Sequence, residues 1–366
     1  MRADRSSVEL TQRTGETVVV AMSGGVDSSA VAGLLVRRGC RVVGATLVMA
    51  PGDASDAVSQ ARATAEALGI EHRTVDCAAA FREQVLAPSW CEYDRGRTPS
   101  PCVVCNDRIK FRTLAALADD VGAGKIATGH YARVEPDPDG HGVALLRGVD
   151  AEKDQSYFLH ALSDEHLGRA LFPLGALTKG GVRAIARDMG LPNAERAESQ
   201  DACFAGGETC FAEALRRSFG GRARGGAIVG TDGRELGRHD GVHRYTIGQR
   251  KGLGLALGGR AYVCRIDGDT GRVVLSEDPA DLESAGLEAS GFRWIGGSGP
   301  TGPFRCEAQI RYRHRAARAT AEILGGGLLR VLFDEKVRAV APGQAVVLYR
   351  GDRVLGGGWI ERGLRV

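Results

Sequence analysis

The sequence predicts an α/β fold in which a doubly wound parallel sheet is followed by a β-rich second half. Three observations carry this. Short β-branched runs alternate with helical spacing up to about Gly206. Beyond that point Gly becomes frequent, and short alternating runs are separated by Gly, Asp and Pro. A Gly- and Ser-rich turn also stands where the first strand meets the first helix.

The elements follow in order. "TVVVAM" (Thr17–Met22) reads as the first strand, and "DSSAVAGLLVRRG" as a helix stopped at Gly39. "RVVGATLVM" is a second strand, "DAVSQARATAEALG" a helix ended by Gly69, and "HRTVDC" a third strand. "FRTLAALADDVGAG" and "KIATGHYARV" repeat the helix–strand pair. In the second half "AYVCRID", "RVVLSE", "LRVLFDE" and "AVVLYRG" alternate as half-buried strands do, and "GGSGP" at Gly296–Pro300 marks a boundary.

Composition narrows the classes. The chain has 366 residues, too many for one ordinary core. Hydrophobic content of 43% and charged content of 25% are those of a soluble globular protein. No apolar run reaches the length of a membrane span, and the first residues lack the apolar core of a secretion signal. Nine cysteines, an odd number spread over the whole chain, point to a reducing cytoplasm rather than a disulfide framework. From Thr301 to Val366 there are 12 Lys or Arg against 6 Asp or Glu, a net charge of +6, whereas the rest sums to −3. A basic tail suits a polyanion, or is simply a solvated face.

The turn "AMSGGVDSS" (Ala21–Ser29) follows the first strand. Gly24 and Gly25 let backbone amides approach an anion, Ser23 and Ser28 add hydroxyls, and Asp27 is a candidate Mg²⁺ ligand. No Gly-Lys-Ser/Thr follows, so this is not a Walker loop. A second stretch, "TPSPCVVCNDRIKF", puts Cys102 and Cys105 in a Cys-x-x-Cys pattern. By itself the pair reads as a metal clamp, a redox couple, a nucleophile with a helper, or two buried thiols.

"SGGVDSS" after an apolar strand resembles the pyrophosphate loop of the N-type ATP pyrophosphatases. "TPSPCVVCNDRIKF", "ATGHYARV", "KDQSYFL", "SQDACF", "YTIGQRKGLG" and "APGQAVVLY" then follow in order. Together they resemble the tRNA-specific 2-thiouridylase family. The resemblance implies a leader over 1–16 and an ATP-pyrophosphatase (adenine nucleotide alpha hydrolase-like) domain over 17–215. A β-rich central domain over 216–283 and a tRNA-binding β-barrel over 284–366 would follow. It implies ATP-dependent 2-thiolation of the wobble uridine, with Mg²⁺, tRNA and a sulfur donor (a persulfide carrier or sulfide) as partners. Rival readings are another ATP-pyrophosphatase synthetase and a non-catalytic tRNA-binding protein.

Residue roles follow from the same resemblance. Ala21, Met22, Ser23, Gly24, Gly25, Val26, Asp27, Ser28, Leu47 and Gly129 would hold ATP. Ser100, Pro101, His130, Lys153, Asp154, Gln155, Arg311, Tyr312 and Gln344 would face tRNA. Cys105 falls at the family's nucleophile and Cys203 at its second catalytic cysteine. A thiolate is the reactive form, so Cys105 needs a lowered pKa, which Lys110 or a helix end would supply. Cys102 stands where the commoner form of the family has an acidic residue. Two readings stay open: Cys102, Cys105 and Cys203 hold a 4Fe-4S cluster, or Cys105 and Cys203 run a persulfide relay with Cys102 as an accessory thiol. Cys40, Cys77, Cys91, Cys210, Cys264 and Cys306 read as small buried hydrophobes.

Overall fold

A computed structural model describes residues 14–50, 54–138, 140, 142–196, 210–221, 223–255 and 259–365. Most of the expected leader, and Cys203 with its "SQDACF" motif, lie outside these residues. The chain divides into two compact units. One comprises Met1–Phe81, Cys105–Cys203 and Asp352–Val354; the other comprises Arg82–Val104, Phe204–Gly351 and Leu355–Val366.

The first unit opens with β1 (Thr17–Ala21), α1 (Val26–Arg37), β2 (Arg41–Val48), α2 (Ala54–Leu68) and β3 (Glu71–Asp76). Val18, Val19 and Val20 are fully buried, because helices cover the sheet on both sides and leave no solvent face for polar residues. Each such side chain contributes about 1.5 kcal/mol or more by leaving water. The sheet runs in the order β3-β2-β1-β4-β7, all parallel, with β4 at Lys125–Ala127, β5 at Ala132–Pro136, β6 at Val143–Arg147 and β7 at Ala170–Leu171. The sequence expectation of one strand over "KIATGHYARV" is corrected here. The run breaks at Gly129 into β4, which pairs with β1, and β5, which forms a hairpin with β6.

Between β3 and β4 lie α3 (Ala78–Phe81), α4 (Ala87–Asp94), α5 (Pro101–Cys105) and α6 (Phe111–Asp120). Asn106–Lys110 between α5 and α6 is a π-helical turn, a rare local widening often found at functional sites. After β6 come α7 (Asp164–Arg169) and α8 (Lys179–Asp188). Thr178 caps α8 by accepting from Gly181 N at 3.2 Å.

The second unit holds α4, the short helix α9 (Phe211–Ser218) and two β structures. A four-stranded mixed sheet uses β8 (Gly226–Gly230), β9 (Glu235–His239), β10 (Tyr262–Asp267) and β11 (Arg272–Ser276) in the order β10-β11-β8-β9. The remaining strands are β12 (Glu283–Trp294), β13 (Phe304–Gln309), β14 (Ala317–Ile323), β15 (Leu329–Arg338), β16 (Ala345–Arg350) and β17 (Arg353–Leu364). Their order is β12-β15-β14-β13-β16-β17, and pairing of β12 with β17 closes the ring. Closure removes the unpaired edges an open sheet would leave. Leu287, Leu329, Val331, Val346, Leu348 and Ile360 fill its core. Among the described residues no helix is long and apolar enough to cross a membrane.

Candidate active site

The loop between β1 and α1 sits at the carboxyl end of a central strand, where doubly wound sheets take ligands. Gly24 has a φ of +73°, and a β-carbon there would stand 2.7 Å from the Ala57 carbonyl oxygen. Only glycine fits. Ser28 Oγ accepts from Ser23 N at 3.1 Å and donates to Gly25 O at 3.0 Å, which pins the turn from inside. Gly129 presses its backbone on the same turn, since a β-carbon there would lie 3.2 Å from Ser28 N. Met22 is buried behind the loop, and its carbonyl accepts from Thr46 Oγ1 at 2.7 Å. Ala21 ends β1, Val26 begins α1, and Leu47 is half-buried in β2.

Two loop partners escape sequence reasoning. Asn193 Nδ2 donates to Gly24 O at 2.9 Å and to Ser29 Oγ at 2.7 Å. Lys179 Nζ, at the first turn of α8, reaches both oxygens of Asp27 at 2.7 and 2.8 Å, and Tyr131 Oη donates to Asp27 Oδ1 at 2.9 Å. The Lys179 side chain is only 12% exposed, so this ion pair is partly shielded from water. "LTKGGV" carries no signal that would reveal the contact, which depends on a helix 152 residues away.

His130 stacks on Phe111 with ring centroids 6.2 Å apart and meets Phe172 edge-on. Its Nδ1 lies 2.7 Å from Thr128 Oγ1. Burial, reinforced by the Lys110 cation, pushes its pKa well below that of a free imidazole, so it is neutral at pH 7. Lys110 Nζ donates to Asn106 Oδ1 at 2.9 Å, and Asn106 Nδ2 to Phe158 O at 3.1 Å. These bonds fix the π-turn that follows Cys105.

Lys153, Asp154 and Gln155 differ in what they are given to do. Asp154 accepts from Gly148 N, Ser156 N and Ser156 Oγ, and pairs with Arg147 at 3.3 Å. Its carboxylate organises the chain itself. Gln155 Oε1 accepts from Tyr131 N at 3.1 Å. Lys153 N donates to Asp150 O in the preceding turn.

Cys102 is exposed and Cys105 buried, three residues apart on α5. Cys40, Cys77, Cys264 and Cys306 are buried as expected. Cys91 and Cys210 are not: the first is exposed on α4 and the second half-exposed at the start of α9, where neither helix turns it fully inward. Among the described residues no group of three His, Cys, Asp or Glu is placed to hold a metal ion.

In the second unit, Arg311 Nη1 donates to Arg338 O at 3.2 Å and Ala339 O at 3.5 Å. Arg313 has a φ of +61°, and its guanidinium lies 5.5 Å from the Tyr312 ring centre. Gln344 Nε2 donates to Thr98 O at 3.1 Å and Pro99 O at 3.0 Å, and Ser100 Oγ accepts from Ala345 N at 3.3 Å. Pro101 opens α5.

A glycine-lined loop on a parallel sheet of this order defines the class as a HUP-type nucleotide-loop protein. Three family models match the chain: "tRNA methyl transferase HUP domain" over 16–207, "tRNA methyl transferase PRC-barrel domain" over 217–277 and "Aminomethyltransferase beta-barrel domain" over 284–360. The tRNA-specific 2-thiouridylase MnmA of Solibacter usitatus is 44% identical over 94% of this chain and 99% of its own length. The MnmA proteins of Sorangium cellulosum (44% identical over 96% of this chain and 94% of its own) and Geobacter metallireducens (42%, over 96% and 98%) are similar. The family models speak of methyl transfer and the relatives of thiolation; near-full-length identity above 40% is the stronger guide. The chain belongs to the tRNA-specific 2-thiouridylase family. A 4-thiouridine synthetase–RNA complex with bound ATP is a distant structural neighbour, 15% identical with a TM-score of 0.37 over 55% of this chain and 50% of that one.

Proposed function

We infer that this protein carries out the ATP-dependent 2-thiolation of the wobble uridine of tRNA, as a tRNA-uridine 2-sulfurtransferase. The carrying observation is the β1–α1 cradle, whose Gly24 backbone, Ser23–Ser28 lock and cation-paired Asp27 suit a nucleotide phosphate chain in a member of this family.

A uridine carbonyl is a poor electrophile. Its 2-oxygen attacks the α-phosphorus of ATP and pyrophosphate leaves, so the base then carries AMP as a good leaving group. Sulfur attacks C2 and AMP departs. The residues from Ala21 to Ser28, with Leu47 and Gly129, hold the nucleotide. Asp27 would hold Mg²⁺ only by giving up Lys179, whose ammonium takes both of its oxygens at 2.7 and 2.8 Å. Lys153, Arg311, Tyr312, Ser100, Pro101, His130 and Gln344 face the tRNA, while Asp154 and Gln155 shape the strand end beside His130. The basic tail supplies phosphate-directed charge.

For sulfur delivery two routes share the same cysteines. In the relay, the terminal sulfur of a persulfide on one cysteine attacks C2. The thiolate of the other then attacks the sulfur still bound to the first cysteine. That breaks the S–S bond, releases the thiolated base and leaves a Cys105–Cys203 disulfide for an external thiol to reduce. In the other route Cys102 and Cys105 are soft thiolate ligands for a 4Fe-4S cluster, with Cys203 completing the set. Such a cluster would present sulfide to the base. The placing of Cys102 and Cys105 on one helix suits either route. The division into a catalytic domain, a central β domain and a tRNA-binding barrel, and a cytoplasmic setting, belong to this proposal.

The test is incubation of unmodified tRNA with protein, ATP and sulfide, with nucleosides read by mass spectrometry. A mass gain of sulfur for oxygen on the wobble uridine, dependent on ATP, is expected. Pyrophosphate release without that gain would point to a different synthetase, and tRNA binding with neither to a non-catalytic role.

A further inference from the structure

The motif "APGQAVVLY" contains a turn whose every residue is spent on one short segment of the same unit. Thr98 N donates to Pro342 O at 2.8 Å. Gly343 has a φ of +90°, and a β-carbon there would lie 2.9 Å from Thr98 O. Gln344 Nε2 donates to Thr98 O and Pro99 O, and Ala345 N to Ser100 Oγ. Thr98–Ser100 leads directly into α5, which carries Cys102 as its second residue.

The chemistry of the segment explains why it needs this help. Pro99 and Pro101 have no N–H, so Thr98–Pro101 cannot enter a regular ladder, and its carbonyls need donors from elsewhere. A side-chain amide offers two N–H groups to two successive carbonyls, which no backbone group does. The turn is itself fixed, because Gly343 N donates to Ile360 O and Ile360 N to Gln344 O, both at 2.8 Å. On the other side Arg97 pairs with Glu92 at 2.6 Å and Glu361 at 2.7 Å. A cavity of about 270 Å³, lined in part by Pro99, Ser100, Val104, Gly343 and Trp359, borders the segment. Once unpinned, the segment has room to move.

We propose that Gln344 is a positioning residue for the cysteine-bearing helix: it clamps Thr98–Ser100 to the barrel turn and thereby sets where α5 begins. Both amide donors that a tRNA phosphate would take are committed to Thr98 and Pro99 in this state. The role therefore goes beyond a tRNA contact. It rests on the reading that the α5 cysteines serve sulfur transfer, but its first readout needs neither tRNA nor sulfur.

Hydrogen exchange of the peptide spanning residues 97–105, in tRNA-free full-length protein, tests it. Gln344→Ala and Gln344→Glu, the second keeping size but losing both donors, should speed exchange there at least tenfold. Peptides of β14 should be unchanged, which shows the barrel intact. Ser100→Ala, which removes only the acceptor of Ala345 N, should give a smaller acceleration. With tRNA saturating, kcat for thiolation should stay low in the Gln344 variants rather than recover. Unchanged exchange at 97–105 in Gln344→Glu and Ser100→Ala, with only tRNA affinity reduced, would overturn the proposal and leave Gln344 a tRNA contact. A wild-type kcat at saturating tRNA would overturn it too. Loosened exchange with no thiolation in the parent protein would instead fault the functional reading and keep the clamp.

Discussion

The nucleotide loop and the cysteine helix are built by opposite means. The loop is largely short-range: Ser23, Gly24, Gly25 and Ser28 lie within six residues and lock one another, while Gly129, Tyr131, Lys179 and Asn193 join from afar. The helix α5 is the first stretch of a helical run that continues through the π-turn and α6 to Asp120, and its entry is held by a turn about 245 positions later. An anion cradle needs fixed amides, which local bonds supply. The cysteine segment is entered through a stretch whose carbonyls are held from far along the chain. Variants in the two regions should therefore fail differently.

The largest losses should come from the cysteines. Cys105→Ala and Cys203→Ala should each lower thiolation by on the order of 10³-fold or more, while ATP-dependent pyrophosphate release with tRNA persists. Cys102→Ala distinguishes the sulfur routes. If a cluster is used, anaerobically purified variant loses iron and activity together. If a relay is used, the parent is active without iron and Cys102→Asp retains function. Iron and acid-labile sulfide assays on the parent and both variants decide it.

On the loop side, Asp27→Ala should reduce pyrophosphate release by about 10²-fold or more, because it removes a charge-placing group where the phosphates react. It also leaves Lys179 without its carboxylate. tRNA affinity, measured by filter binding, should hold. Equal loss of tRNA binding would erase the contrast between the two regions.

A smaller effect is expected from the cations proposed to face tRNA. Lys153→Ala and Arg311→Ala should each weaken tRNA binding several-fold and reduce the salt slope of log K by roughly one. Arg311 also donates to Arg338 O and Ala339 O, so its variant should in addition loosen that turn, whereas the Lys153 variant should not. Affinity measured from low to high salt separates the two.

The smallest change concerns pH. Burial, and then the Arg311 cation, lower the His314 pKa to about 4 from the usual 6.5. The unfolded chain takes up the proton first as pH falls. The stability that a neutral His314 allows is therefore complete above about 6.5 and is lost as pH drops toward 4. His314→Gln should flatten the pH dependence of the thermal midpoint across that window. An unchanged profile would mean that His314 contributes nothing to it.

What the sequence disclosed follows the same division. β1, the glycine turn and α1 are consecutive, so their pattern of β-branched run, Gly-Gly and helical spacing could be read directly. The change to β structure after Gly206 was equally visible, because strand periodicity is local. Asn193 and Lys179 were not, since nothing near them in the chain indicates that α8 and the turn after it meet the loop. The run "KIATGHYARV" looked like one strand because its apolar residues continue past Gly129, yet the backbone leaves the sheet there to press on Ser28. Gln344 was expected to face tRNA, and its hold on Thr98 and Pro99 was not legible. Its partners are carbonyls that proline leaves without local donors, and a chemical deficit of that kind is hard to see until both segments are placed.

Closure of the barrel has a consequence for biosynthesis. The turn that clamps Thr98–Ser100 is secured by the Ile360 backbone, in the strand that completes the ring against β12. A ribosome emits the cysteine segment about 260 residues before that strand. The parallel sheet can assemble early from its own contacts, as N-terminal units generally do. The entry to the cysteine helix reaches its final anchorage only when β17 has emerged, long after the cysteine segment itself and after the parallel sheet has had time to form.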